Sequence, residues 1–306
     1  MRAAIIAQLG AAPIVGERPD PVAGPAEVLI EVSTAALNPA DLVYASGIRG
    51  RPQTPFVPGI EGVGTTPDGR RVYFTPTIHP HGSIAQWAVA PAAGVRELAD
   101  DIADGVALGL GVAGTTGFLA LAHKGAIRSG ESVLVLGATG SVGQIVVQAA
   151  KALGARRVVA AGRDQATLDG LLRRGADDVV TLDEGYESRL VEASEGGFDL
   201  VVDSLYGEPM VAGIRATREG GRIVNLGMRA GRTVELPGIP FKGRDLLSCS
   251  VGAIAPEVQA TAFADLCDLA RRGEIDVASE LTALVDVAAS WERQGSSPHV
   301  KLLVEP

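Results

Sequence analysis

Val133-Leu134-Val135-Leu136-Gly137-Ala138-Thr139-Gly140-Ser141-Val142-Gly143 is the stretch that decides how this chain is read. A short apolar run, residues 132–136, enters a glycine-rich turn. Beyond it Val142, Ile145, Val146, Ala149 and Leu153 recur at the i, i+3, i+4, i+7 spacing of an amphipathic helix, and Gly154 is placed to end it. The turn is spaced A-x-G-x-x-G, with Ala138 at the first position. Gly140 lets backbone approach a pyrophosphate, and Gly143 lets the helix lie tight on the strand. The N–H groups of the helix start, with the helix dipole behind them, favour phosphate charge. A bare glycine pattern is a weak signal. Between a strand and a helix it points to a dinucleotide site built by Ala138, Thr139, Gly140, Ser141, Val142 and Gly143. The alternative is a tight strand–helix turn that holds no ligand.

The end of the next strand bears on which dinucleotide fits. An NAD site places Asp or Glu there, ~20 residues on, to hold the ribose hydroxyls. Here the strand ends Ala160-Ala161-Gly162-Arg163-Asp164. Small residues leave room for a 2′-phosphate, and a guanidinium binds phosphate in bidentate fashion. Gly162 and Arg163 therefore favour NADP(H). Asp164 complicates this, since it can fold back to a ribose or pair with Arg163.

Outward from this motif, apolar strand runs at 157–161, 179–182, 200–203, 223–226 and 246–251 alternate with helical stretches such as 165–174. Such alternation implies a parallel sheet covered on both faces. Residues 1–110 have a different texture: short β-favouring runs (3–7, 28–32, 71–75, 85–90) between Pro/Gly punctuation. Residues 256–306 are read as one helix, 258–272, and a final strand, 300–304.

The 306 residues carry 36 acidic and 27 basic side chains, a net charge of −9. That balance argues against nucleic-acid or membrane-surface partners, which need clustered bases. No unbroken run of ~18 apolar residues suggests a membrane span. Two cysteines, Cys249 and Cys267, make neither a disulfide framework nor a Cys-rich metal site, and the expected compartment is the cytoplasm.

Further motifs follow one another along the chain. Met1-Arg2-Ala3 and Gly24-Pro25-Ala26-Glu27-Val28-Leu29-Ile30 come first, then Leu37-Asn38-Pro39-Ala40-Asp41. Next are Pro55-Phe56-Val57-Pro58-Gly59-Ile60-Glu61-Gly62-Val63-Gly64 and Gly114-Thr115-Thr116-Gly117-Phe118. Gly130-Glu131-Ser132-Val133-Leu134-Val135 leads into the glycine turn, and Lys301-Leu302-Leu303-Val304 closes the set. In order and spacing the whole chain resembles the medium-chain dehydrogenase/reductase superfamily, on its zinc-independent, quinone-oxidoreductase-like branch. The resemblance implies an α/β protein: a GroES-like, β-rich substrate domain (1–114 and 254–306) with an inserted Rossmann cofactor domain, a doubly wound parallel sheet, at 115–253. It also implies an active site in the cleft between them.

Zinc-dependent members place a ligand Cys near residues 37–41 and a ligand His where Ile60 stands here. Neither cysteine lies near, and a four-cysteine lobe for structural zinc is absent. An isoleucine has no lone pair to give, so zinc is excluded from its usual sites. The resemblance implies cofactor contacts at Asn38, Thr116, Ser204, Leu226, Gly227 and Lys301. Each has a plainer alternative, such as a turn asparagine, a capping threonine or a surface lysine.

Several relatives use a tyrosine after N-P-x-D as a donor to the substrate carbonyl. Here Val43 and Arg49 occupy the two tyrosine positions and Tyr44 is one residue off. Tyr44 and Arg49 are candidates to stabilise developing negative charge. His79 and His81 form a His-x-His pair, and His81 is a candidate proton donor; a metal site is conceivable but lacks a third ligand.

The expected function is NADPH-dependent, zinc-independent hydride transfer to a quinone or an α,β-unsaturated carbonyl. The alternatives are zinc-free carbonyl/alcohol interconversion, and an NADPH-binding protein with little catalysis. A homodimer is expected, because the sixth strand of the inserted domain (Leu246, Leu247, Val251) is apolar and, by resemblance, lies at a sheet edge.

Overall fold

The computed structural model describes every residue except Arg49 and Pro237. The chain divides into two units, Met1–Ala113 with Val277–Pro306, and Gly114–Asp276.

In the second unit Ser132–Leu136 is buried at all five positions, as suits an apolar strand inside a parallel sheet. The six strands lie in the order Asp178–Thr181, Arg157–Gly162, Ser132–Leu136, Phe198–Asp203, Thr217–Asn225, Asp245–Ser248. Every pair is parallel. Numbered along the chain this is 3-2-1-4-5-6, so the winding reverses between Ser132–Leu136 and Phe198–Asp203. In such sheets ligands bind at the carboxyl ends of the strands flanking that reversal.

The helix after the first strand, Ser141–Ala152, buries Gly143 through Ala150. It ends at Gly154, whose φ is +87°. There Gly154 N–H bonds to Lys151 C=O and Ala155 N–H to Ala150 C=O, each at 2.9 Å, the double closure that a left-handed residue makes possible. Helix Pro256–Arg271 packs on Thr115–Phe118 and on Ser141–Ala152. The Gln148 side chain exchanges two bonds with the Asp276 backbone, 3.0 and 2.8 Å. These contacts put the second boundary at 276/277 rather than at the expected 253/254.

The first unit holds a mainly antiparallel sheet in the order Ser279–Ala283, Lys301–Glu305, Glu27–Ala36, Gly62–Thr65, Arg71–Phe74, Val95–Glu97, with Trp87–Pro91 also pairing Glu27–Ala36. Its core gathers Ile30, Phe56, Phe74, Val287, Trp291 and Leu302.

Two elements add to the single helix and final strand expected after residue 256. Helix Val287–Gly295 buries Ser290 and Gln294 along with Val287 and Trp291, so its buried stripe is not an apolar one. Strand Ser279–Ala283 is exposed at four of five positions and shows no alternation. A helical run, Asp104–Lys124, has the length and apolar content of a membrane span, and 72% of its most apolar window is buried inside the protein.

Candidate functional site

The glycine turn joins the first strand to its helix at the carboxyl edge of the parallel sheet. Gly137 takes φ +82°, and its N–H and that of Ala138 both bond to Ala161 C=O at 2.9 Å, tying the turn to the neighbouring strand end. Gly140 caps helix Ser141–Ala152 without a side-chain hydrogen bond, and the first helical turn carries no acidic residue. The first N–H groups of a helix have no acceptor within it, so this terminus offers donors and a positive dipole end.

At Gly143 a Cβ would lie 2.4 Å from the Gly137 carbonyl oxygen and 2.6 Å from Ala138 Cα. Helix and turn are therefore in backbone contact. At Gly140 the nearest atom to such a Cβ is 3.5 Å away, which leaves its face open. A pyrophosphate fits these residues on both counts.

Gly162 is buried against Thr139, where a Cβ would meet Thr139 Cγ2 at 2.4 Å. Arg163 is exposed and makes no ion pair among the described residues. Asp164 caps helix Gln165–Leu172: its Oδ1 accepts from Thr167 N–H at 2.8 Å and from Thr167 Oγ1 at 2.6 Å. Its spacing to Thr167 is a capping signal that the sequence reading passed over.

Two more strand ends meet the turn. Buried Asp203 accepts from Leu205 N–H (2.8 Å) and Asn225 Nδ2 (2.6 Å), and Asn225 Nδ2 also reaches Gly227 C=O (2.8 Å). Burial raises the Asp203 carboxyl above its ordinary range, and these donors oppose the rise. Ser204 N–H bonds to Leu136 C=O at 3.1 Å, and a Cβ on Gly227 would stand 2.5 Å from Ser204 C=O. The structure thus brings Ser204, Leu226 and Gly227 together with the glycine turn, at the point where the winding reverses.

In the first unit Asn38 and Lys301 are buried. Lys301 Nζ lies 2.7 Å from both Asn38 Oδ1 and Glu61 Oε1, and Asn38 Nδ2 is 2.9 Å from the same Glu61 oxygen. Glu61 Oε2 accepts from Tyr73 OH and from Val112 N–H, each at 2.7 Å. Asp41 Oδ2 accepts from Asn38 N–H at 2.8 Å, and burial pushes its carboxyl up to about 7. In the sequence Glu61 stands inside the 55–64 motif with no role assigned to it. A lone acid among apolar and glycine residues was the available signal. Thr116 is half-buried in Thr115–Phe118, in the second unit.

Tyr44 sits in the last turn of helix Pro39–Ala45 and is exposed. Its hydroxyl is 3.4 Å from His79 Nδ1, and both rings pack edgewise or tilted on Phe56. The tyrosine's partner in this loop is His79. His81 is half-buried, and burial, assisted by Arg18 and His79, lowers its pKa. Arg49 lies outside the described residues. Among the described residues no three His, Cys, Asp or Glu side chains group as a metal-ligand set.

Two family models match the chain: an alcohol dehydrogenase GroES-like domain over residues 24–100 and a zinc-binding dehydrogenase over residues 141–268. Human quinone oxidoreductase is 30% identical over 254 residues, covering 77% of this chain and 75% of that protein. The quinone oxidoreductase of Thermus thermophilus, a structure solved also in complex with NADPH, is 26% identical with a TM-score of 0.87 over 100% of both chains. A mycobacterial protein complexed with NADPH superposes with a TM-score of 0.90 at 23% identity, again over 100% of both chains. The chain belongs to the medium-chain dehydrogenase/reductase superfamily, among its quinone oxidoreductase-like members. Its two units have the expected GroES-like and Rossmann-type folds.

Proposed function

We propose that the protein is an NADPH-dependent, zinc-independent reductase of quinones or α,β-unsaturated carbonyls. The observation that carries this reading is the strand end at Gly162 and Arg163: a small buried residue where an NAD site places an acid, then an exposed arginine with no ion pair among the described residues. The 138–143 turn holds the pyrophosphate and Arg163 the 2′-phosphate. Ser204, Leu226 and Gly227 border the nicotinamide end, and Thr116, in the same unit, supplies a donor to the nucleotide. The bound reduced nicotinamide supplies hydride to a conjugated acceptor. Tyr44, with His79 beside it, donates its O–H to the acceptor oxygen. Arg49 is a further candidate there, and His81 is a candidate proton donor that, with its pKa lowered by burial, carries its proton less of the time near neutral pH. The test is NADPH oxidation against a panel of small quinones and enones. Turnover is expected; tight NADPH binding without turnover on any acceptor would reduce the protein to a nucleotide binder.

Cofactor preference tests the carrying observation directly. Arg163→Ala should weaken NADPH binding about tenfold or more and change NADH little. A charge-assisted bond to phosphate contributes roughly 1.5–3 kcal/mol, and about 1.4 kcal/mol is a factor of ten. Equal wild-type affinities for the two cofactors, measured by calorimetry, would defeat the reading.

We also propose a homodimer. Among the described residues Asp245–Ser248 pairs on one side only, leaving an edge that a symmetry mate covers. Light scattering at micromolar concentration should give twice the chain mass; a monomer would refute it.

A further inference from the structure

Asp203 ends the fourth strand of the parallel sheet, Phe198–Asp203, with no solvent exposure. Its partners are all donors. Leu205 N–H meets Oδ1 at 2.8 Å, Tyr206 N–H lies 3.1 Å from both oxygens, and Asn225 Nδ2 meets Oδ2 at 2.6 Å. No cation stands against the carboxyl among the described residues. A buried carboxylate without a counter-ion is costly, and a neutral asparagine could accept from Leu205 and Tyr206 in its place. What the acid adds is a second acceptor. Asn225 Nδ2 donates both to Oδ2 and, at 2.8 Å, to Gly227 C=O, so it bridges Asp203 to the loop that follows the fifth strand. An amide at 203 would turn a donor toward Asn225, and Asn225 could answer only by setting its own oxygen against Gly227 C=O.

Tyr206 shows what this carboxyl holds. Its φ of +58° and ψ of −165° fall in a region left almost wholly to glycine. Such strain persists only where the surroundings over-determine it, and it gathers at functional sites. Here Asp203 grips the Tyr206 N–H, and Ala230 N–H bonds to Leu205 C=O at 2.8 Å. The strained loop lies over the glycine turn: a Cβ on Gly137 would meet Leu205 Cδ2 at 3.1 Å and Ser204 Cβ at 3.3 Å. We propose that Asp203 is a positioning residue for the nicotinamide end of the nucleotide. Through Tyr206 and Asn225 it fixes the gap between loops 204–206 and 225–227. This rests on the reading that Ser204, Leu226 and Gly227 border that end of the bound cofactor. Arg163 follows a strand two places away in the sheet, so the adenosine end is outside the reach of Asp203.

Asp203→Asn separates the two ends. Its oxygen still accepts from Leu205 and Tyr206, but its Nδ2 faces Asn225. NADPH affinity, measured by calorimetry, should fall about tenfold or more. Affinity for adenosine 2′,5′-bisphosphate, which has the 2′-phosphate but no nicotinamide, should stay within about twofold of wild type. A merely structural role would lower both together. Asp199→Asn is the control. At the opposite end of the same strand it turns a donor toward Ser132 or Arg218, so it should lower the melting temperature and leave both affinities within about twofold. If Asp203→Asn does not fold, Asn225→Ala, at a partly exposed residue, must show the same split between the two ligands. The proposal is overturned by wild-type NADPH affinity, or by equal losses for both ligands, in the variant that folds. The same split in Asp199→Asn would also overturn it. Failure of the wild type to bind either ligand would instead strike the functional reading on which it rests.

Discussion

Gly143→Val should abolish detectable NADPH binding and lower the melting temperature together. The Cβ at this position would lie 2.4 Å from the Gly137 carbonyl oxygen and 2.6 Å from Ala138 Cα, and both are backbone atoms. No rotamer change relieves that clash, so the helix start must back away from the strand and take its N–H groups with it. Overpacking of this kind costs roughly 1–3 kcal/mol in well-packed cores, and more where backbone must move. Gly140→Ala is the comparison, because its Cβ meets nothing nearer than 3.5 Å and the fold should tolerate it. Titration calorimetry and thermal melts on both variants decide the matter. Wild-type NADPH affinity in Gly143→Val would mean that the helix start is not the phosphate site.

Asp41→Asn should stabilise the first unit, and by more at high pH than at low. The Asp41 carboxyl is raised from 3.8 to about 7, chiefly by burial and further by the charge of Glu61, while Asn38 and Lys301 oppose the rise. Between those two values the folded state holds a proton that the unfolded state releases. Stability is therefore fully present below the unfolded value and is lost as pH rises through the folded one, a loss on the order of 4 kcal/mol. Asparagine keeps an acceptor for Asn38 N–H but cannot ionise. The gain from Asp41→Asn should grow by about 2–3 kcal/mol between pH 5 and pH 8. Both tryptophans, Trp87 and Trp291, lie in the first unit, so fluorescence-monitored urea unfolding reports on the right part of the chain. An equal gain at both pH values would show that Asp41 does not titrate in this window.

The parallel sheet was legible because its strands are apolar runs and the first ends in a glycine turn whose spacing has one structural meaning. Periodicity located helix Ser141–Ala152 to within a residue or two for the same reason. Where burial and apolarity part company, the reading failed. Helix Val287–Gly295 turns a serine and a glutamine inward, and Ser279–Ala283 is strand by pairing alone. Asp104–Lys124 contains Gly105, Gly109, Gly111, Gly114 and Gly117, residues that read as breakers when taken singly. The polar network was illegible for another reason. Glu61's partners lie 12, 23, 51 and 240 residues from it along the chain, and no local pattern announces such pairings. His79 and His81 are equivalent in a one-dimensional reading; only the fold of their loop decides which ring meets Tyr44.

The sheet of the first unit joins strands from both ends of the sequence, with Glu27–Ala36 pairing to Lys301–Glu305. A chain emerging from the ribosome therefore makes the two units out of order. The parallel sheet, contiguous in sequence, has all its strands available while the first unit still lacks its last two. Over that interval Leu302 and Val304 are missing from the early core, and Glu61 waits 240 residues for its counter-ion. Long-range pairings of this kind are slow to form, and the surface left uncovered while they form is what chaperones bind. Lys301, made 240 residues after Glu61, is thus the one that lets that earlier acid settle.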